Sequence, residues 1–239
     1  MHHRLSWRRL MAWRRRPSAW GALLGEQQIL LASLVVQANG SVRVAVFEHQ
    51  HTPAGLVPPD ESEGWLVQQL RAASANLPRQ ERCLGLALQA GRCRQGVYQA
   101  AAGGGPRQWL ADVRLEAAMA LAAGPDEIGF DVDPPFDAHS TPPLVHWAAC
   151  LRQDLQRWQD QAQRAGWRLP VVEPEQQSAR RAALCLHGDV RALAAQSPQD
   201  WLFDLQARRT LGDAQWQALQ SAPQWGALVA CGAALGLLA

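Results

Sequence analysis

The stretch from Ala19 to His49 constrains the fold more than any other part of the chain. Ala19–Leu24 and Ile29–Val36 are apolar runs, partly β-branched, each of strand length. Gln37-Ala38-Asn39-Gly40 then interrupts the pattern, and Asn and Gly are the residues that accept positive φ in a tight turn. Ser41–His49 follows in strict alternation, with Val42, Val44 and Val46 on one face and Arg43, Ala45 and Phe47 on the other. The pattern predicts three antiparallel strands joined by tight turns.

Downstream the period changes from two to three or four. Asp60 and Glu63 read as a box-like cap for a helix whose stripe is Leu66, Leu70, Ala73 and Leu77, stopped at Pro78. Cys83–Leu88 and Arg92–Ala100 read as strands. The Gly-rich loop Ala101–Pro106 leads into a helix over Arg107–Ala123 with Leu110, Val113, Ala117 and Leu121 aligned. Ile128–Asp133 is a further strand. Leu144–Ala148, Leu151–Ala165 and Arg168–Val172 then read as strand, helix and strand, the spacing of a parallel crossover unit, with Gly166 closing the helix. A helix over Glu175–Leu186 follows. Trp201–Leu205 reads as a strand, Asp213–Gln220 as a short helix, and Trp225–Leu238 as a buried helix in which Gly232 and Gly236 allow close packing. The class is α/β. No internal repeat is present.

Composition narrows the chemistry. All 23 basic residues are arginine, so a P-loop lysine or a Schiff-base lysine is excluded outright. Six of them, Arg4, Arg8, Arg9, Arg14, Arg15 and Arg16, fall in the first twenty residues, which hold no acid. The other seventeen face 21 acids, so the overall +2 is a basic tail on a body of net −4. A nucleic-acid binder carries its basic surface on the fold itself, which argues against that class here. With Trp7 and Trp13 interleaved, Arg4, Arg8, Arg9 and Arg14–Arg16 read as a basic amphipathic segment for an anionic membrane surface; Met11 offers an alternative start within it. Cys83, Cys93, Cys150, Cys185 and Cys231 form no CxxC pair and read as reduced, buried thiols. The apolar run Gly226–Ala239 is too short for a membrane span, which needs about 20 residues. No secretion signal is legible at the N-terminus.

Few groups are arranged for catalysis. Asp126, Glu127, Asp131, Asp133 and Asp137, with His139, form the densest acidic cluster, and Asp131 and Asp133 would share a strand face as metal-binding carboxylates do. Acids beside a Pro-rich loop are, however, ordinarily solvated. Ser140 and Ser178 have no GxSxG frame, and His146 and His187 have no legible partner. The Gly103-Gly104-Gly105-Pro106 run has neither a GxGxxG frame nor a GK[ST]. Trp65, Trp109, Trp158 and Trp225 sit on helix stripes and read as core.

The order of these segments resembles the actin-like, ribonuclease H-like fold, in a truncated form. It is similar above all to the type IV pilus assembly protein PilM family and its shortened, divergent HofM-like members. The residues that carry this are Gly21-Ala22-Leu23-Leu24-Gly25, the turn before Val42–Phe47, Ile128-Gly129-Phe130-Asp131, Ala165-Gly166-Trp167 through Val172-Glu173-Pro174, Ala179–Leu184, and Cys231-Gly232-Ala233-Ala234-Leu235-Gly236. They span most of residues 19–186 and 225–239.

The resemblance implies a core of 19–50 and 140–239, a small inserted α/β subdomain at 51–139, and a basic tail at 1–18. It also implies a nucleotide site at the first hairpin, where the family reads Asp-hydrophobic-Gly-Ser-Ser. This chain has Leu23, Leu24, Gly25, Glu26 and Gln27 there, a degenerate phosphate loop, and no second glycine-bearing loop follows Leu186. The expectation is therefore a scaffold without cofactor, metal or catalytic residue. It would be cytoplasmic, peripheral to the inner membrane, and would bind the cytoplasmic N-terminal peptide of a PilN-like protein. The groove implied for that peptide lies between Ala19–His49 and Gly55–Asp133. The alternatives are a metal-dependent hydrolase using Asp131 and Asp133, and the cytoplasmic domain of a GspL-like secretion platform.

Overall fold

The computed structural model describes residues 18–25, 28–51, 60–100, 105–132, 144–187, 196–207 and 210–238. The arginine-rich tail, Glu26 and Gln27, the Pro-rich segments 52–59 and 133–143, and thus the junctions that would frame a peptide groove, lie outside them. So does the Gly103–Gly104 part of the glycine-rich loop.

The chain divides into two compact units, one formed by Met1–Ala87 with Gln161–Ala239 and the other by Leu88–Asp160. In the larger unit the expected hairpins are present: β1 (Ser18–Leu24), β2 (Gln28–Val36) and β3 (Ser41–His51) pair antiparallel in sequence order. Gly40 sits at φ +83° in the turn, its N–H bonded to the Gln37 carbonyl, and Asn39 Oδ1 accepts from the Ser41 N–H at 3.0 Å. This is the geometry the Asn-Gly pair foretells.

One detail departs from strict alternation. The β2–β3 register shifts between Ser33 and Leu34, so Ser33 faces Val46 while Leu34 faces Val44, and Ala45 is the extra residue. A bulge of one residue exchanges the faces beyond it. Phe47, not Val46, therefore joins Val42 and Val44 against the main core.

The six-stranded sheet runs β8-β4-β1-β2-β3-β9, with β4 at Cys83–Leu88, β8 at Arg168–Pro174 and β9 at Leu202–Asp204. On the face of Ala19 and Leu23 it is covered by α4 (Glu175–Cys185), α5 (Asp213–Gln220) and α6 (Trp225–Leu235), whose buried residues form one cluster with Ala32, Leu34, Val42 and Val44. On the opposite face Trp20 meets Trp167 edge-on at 5.6 Å, and Trp167 Nε1 donates to the Leu70 carbonyl of α1 (Asp60–Ala73) at 2.8 Å. Leu66 and Leu70 of the expected α1 stripe are buried, and the side chains of Asp60 and Glu63 lie outside the described residues.

α6 approaches its neighbours backbone to backbone. A Cβ on Gly21 would overlap the Ala230 carbonyl and the Ala234 amide, and one on Gly232 would overlap the Ser178 carbonyl of α4. The glycines let a helix of nine buried residues lie directly on the sheet.

The smaller unit is a three-stranded antiparallel sheet, β5 (Arg94–Gln99), β7 (Leu144–Leu151) and β6 (Ile128–Val132) in that spatial order, with α2 (Pro106–Ala120) on one face. Val113, Ala117 and Ala118 of α2 pack with Ile128, Val145, Trp147 and Ala149. Leu110 of the expected stripe is exposed, while Val113, Ala117 and Leu121 pack into the cluster together with Trp109.

Two expectations about organisation are corrected. β7 belongs to the small sheet and β8 to the large one, so strand, helix α3 (Arg152–Arg164) and strand form no crossover unit within one sheet. The small unit is Leu88–Asp160 and not 51–139: β4 and α1 belong with the large sheet, and β7 pairs with β5 and β6.

Candidate functional site

The first hairpin is the place at which the resemblance implies phosphate chemistry. Leu23 pairs with Leu30 and Leu24 with Ile29, and the Gly25 N–H closes the hairpin onto the Gln28 carbonyl at 2.9 Å. Leu23 is 1% exposed and belongs to the main core. A Cβ on Gly226, in the first turn of α6, would meet Leu30 Cδ2 at 3.1 Å and Leu23 Cδ2 at 3.5 Å. The start of α6 thus rests on two isobutyl groups. Fully burying a leucine contributes about 1.5–3 kcal/mol, whereas an aspartate in this surrounding would be a buried charge with no cation beside it. The position serves packing; it offers no ligand to a metal. Glu26 and Gln27 lie outside the described residues.

The acidic cluster is dispersed where it is described. Asp126 binds Arg114 at 2.6 Å, Glu127 Oε2 accepts from the Gly124 N–H at 2.7 Å, and Asp131 Oδ1 accepts from the Val132 N–H at 2.8 Å. Each carboxylate has its own partner. Asp133, Asp137 and His139 fall outside the described residues, as does Ser140. Among the described residues no three His, Cys, Asp or Glu side chains gather as metal ligands would.

None of the five cysteines is in a disulfide; Cys83, Cys93, Cys150 and Cys231 are buried and Cys185 is half-buried. Burial, reinforced by Asp154, pushes the Cys150 thiol up to about 11, and burial alone pushes Cys231 up. Burial also raises Cys185 against the opposing pull of Arg181. A thiol held protonated is a poor nucleophile and a poor metal ligand. His146 lies on an exposed strand position opposite Val97, and the His187 N–H bonds the Leu202 carbonyl.

The densest polar constellation is one that residue spacing does not advertise. Glu173, at the end of β8, accepts from Arg181 Nη1 at 2.5 Å and Nη2 at 2.6 Å and from Ser178 Oγ at 2.5 Å. Arg181 Nη1 also donates to the Gly232 carbonyl of α6 at 2.9 Å. Ser178 is fully buried and Glu173 is 7% exposed. The bidentate pair ties β8, α4 and α6 together. It is a structural clamp. The available sequence signal was a glutamate just before Pro174, with an arginine two helical turns beyond it.

No protein-family model matches the sequence, and no curated protein sequence matches it. Solved structures do. A chain of the PilM-PilN type IV pilus biogenesis complex superposes with a TM-score of 0.57 at 18% identity, over 71% of this chain and 51% of that one. The chain thus spans about half the length of that relative. Cyto-EpsL, the cytoplasmic domain of EpsL, an inner membrane component of the type II secretion system of Vibrio cholerae, matches with a TM-score of 0.50 at 15% identity, over 87% of this chain and 76% of that one. At these identities the likeness is one of fold, and the fold is the actin-like α/β architecture. Among the described residues no helix is long and apolar enough to cross a membrane.

Proposed function

We propose that the protein is a non-catalytic scaffold of a type IV pilus assembly machine, placed at the cytoplasmic face of the inner membrane, where it holds the cytoplasmic N-terminal peptide of a PilN-like membrane protein. The observation that carries this reading is the shared fold with the PilM chain of the PilM-PilN complex. The filling of the first hairpin supports the non-catalytic part: Leu23 and Leu30 occupy the space against Gly226 where nucleotide chemistry would need polar groups. A scaffold works through a recognition surface, and an extended peptide is held by main-chain hydrogen bonds at a strand edge with alternate side chains in pockets. The arginine-rich tail, on this reading, adds contact with anionic lipid.

Titration of the full chain with the N-terminal peptide of the neighbouring single-span membrane protein should give saturable binding, while calorimetry with ATP and magnesium should give no heat below millimolar. Micromolar ATP binding removes the non-catalytic reading, and no binding by any such peptide removes the scaffold reading. A GspL-like platform domain is the second reading, favoured by the broader coverage of the EpsL match. Preference for a secretion-system partner peptide over a PilN-like one would select it.

A further inference from the structure

Beyond its bulge, β3 continues as Phe47, His49 and His51 on one face of the sheet, with Glu48 and Gln50 on the other. Phe47 packs against the main core, whereas both histidines are exposed. The antiparallel register sets Leu30 of β2 opposite His49, and Gln28 opposite His51. Gln28 thus lies directly across from one histidine and diagonally across from the other, within side-chain reach of both.

The two imidazoles have centroids 4.3 Å apart and planes tilted by 46°. Side chains two positions apart leave a strand about 6.6 Å from one another, so the rings lean together. His49 Nε2 donates to Gln28 Oε1 at 2.8 Å. That bond holds the His49 proton on Nε2 and leaves the Nδ1 lone pair open. Among the described residues, neither His49 Nδ1 nor either ring nitrogen of His51 meets a hydrogen-bond or ion-pair partner.

We propose that His49 and His51 chelate a divalent metal ion of the zinc class, and that Gln28 is the positioning residue that orients His49. Imidazole nitrogen suits zinc, copper and nickel, whereas magnesium and calcium take oxygen ligands. A ring that donates one N–H to a neighbouring oxygen and presents its other nitrogen has the arrangement of a metal-bound histidine. The spacing also fits. With metal–nitrogen bonds of about 2.1 Å, two imidazoles on one ion have centroids about 4.5 Å apart at a right angle and about 5.2 Å apart at the tetrahedral angle. From 4.3 Å, small side-chain rotations reach either value. Two protein ligands leave the other positions to water or to a donor from another molecule, so the ion is exchangeable. Leu23 takes no part, and the site stands whatever peptide the protein holds.

The test is equilibrium dialysis of the full chain against zinc, with thermal melts alongside. Zinc should bind and raise the melting temperature, because the two rings are brought together only in the folded state. Gln28→Leu keeps both ligands and should weaken binding about ten-fold, and Gln28→Glu, which again offers an oxygen to His49 Nε2, should restore it. His49→Ala and His51→Ala each remove a ligand and should weaken binding more than Gln28→Leu does, at an unchanged zinc-free melting temperature. His146→Ala/His187→Ala, which removes two imidazoles elsewhere, should change binding little, and millimolar magnesium should not displace the zinc. His2→Ala/His3→Ala separates this site from any zinc held by those two histidines. The proposal is overturned if zinc binding survives His49→Ala/His51→Ala undiminished, or if His2→Ala/His3→Ala alone abolishes it. It is equally overturned if the full chain binds no zinc up to millimolar concentration, or if magnesium competes on level terms.

Discussion

The two units use the same elements and close them differently. In the larger one, helices cover both faces of the sheet, and the fit is set by backbone: Gly21 and Gly85 of the sheet lie against the main chain of α6. In the smaller one, α2 covers a single face, and the tightest fit is Gly96 beneath the indole of Trp147, whose Nε1 donates to Glu116 of α2 at 3.0 Å. Its other face leaves Val97 49% and Leu144 41% exposed, on the same side as the cross-strand pair Val97–His146. A sheet covered on both faces reads as continuous apolar runs, as β1 and β2 do, whereas one open face demands alternation, as in β5. The lesson is that main-chain contacts make the larger unit intolerant of change, while side-chain contacts leave the smaller one adaptable.

The sharpest way to break this comparison is to add one methyl group to each unit. Gly21→Ala should destabilise the larger unit by about 3 kcal/mol or more, the upper end for overpacking, because helix backbone cannot give way. Gly96→Ala should cost only about 1–2 kcal/mol, because an indole can swing aside. Denaturant titration followed by hydrogen exchange in each unit measures both. Equal costs would show that the distinction between backbone and side-chain fit has no energetic content.

A second test addresses the Glu173–Arg181 clamp of the larger unit. Glu173→Gln leaves the Arg181 guanidinium without its carboxylate. Removing one partner of a buried pair costs about 3–5 kcal/mol; with Arg181 still 25% exposed, solvent screening lowers the expectation to about 2 kcal/mol. The double variant Glu173→Leu/Arg181→Met should recover most of that loss, since a packed apolar pair can replace a buried ion pair. A double variant no more stable than Glu173→Gln would mean that the Arg181 bond to the Gly232 carbonyl, and not the unpaired charge, is what matters.

Local features were legible in the residues and long-range ones were not. The Asn39-Gly40 turn, the strand at Cys83–Leu88, the helix at Asp213–Gln220 and the close packing at Gly232 each follow from chemistry within a few positions. The bulge at Ser33 and Leu34 does not, because it is decided by which of Val46 and Phe47 better fills the core. Sheet membership is likewise nonlocal. Leu144–Leu151 and Arg168–Pro174 flank one helix, and nothing in that stretch says that they belong to different sheets. At the candidate sites, Leu23 was readable as a non-ligand from its type alone. The Glu173–Arg181 clamp became visible only when folding brought residues from different elements together.

The mildest test compares a thiol in each unit. Cys150 lies in the smaller unit and Cys231 in the larger, and burial raises both. Native-state labelling at pH 8 should be slow at both sites, since neither thiol is ionised, and should reach Cys150 first, because the unit whose second face is only partly covered opens at lower cost. Cys150 also carries a pH signature. With its folded value near 11 against an ordinary 9.0, the folded state keeps a proton that the unfolded state gives up. Stability from this group is therefore fully present below pH 9 and falls as pH rises from 9 towards 11. Cys150→Ala should flatten that part of the stability profile slightly, with little change at pH 7 beyond the packing cost of the lost sulfur. Labelling of Cys231 before Cys150 would place the weaker unit on the other side of the comparison.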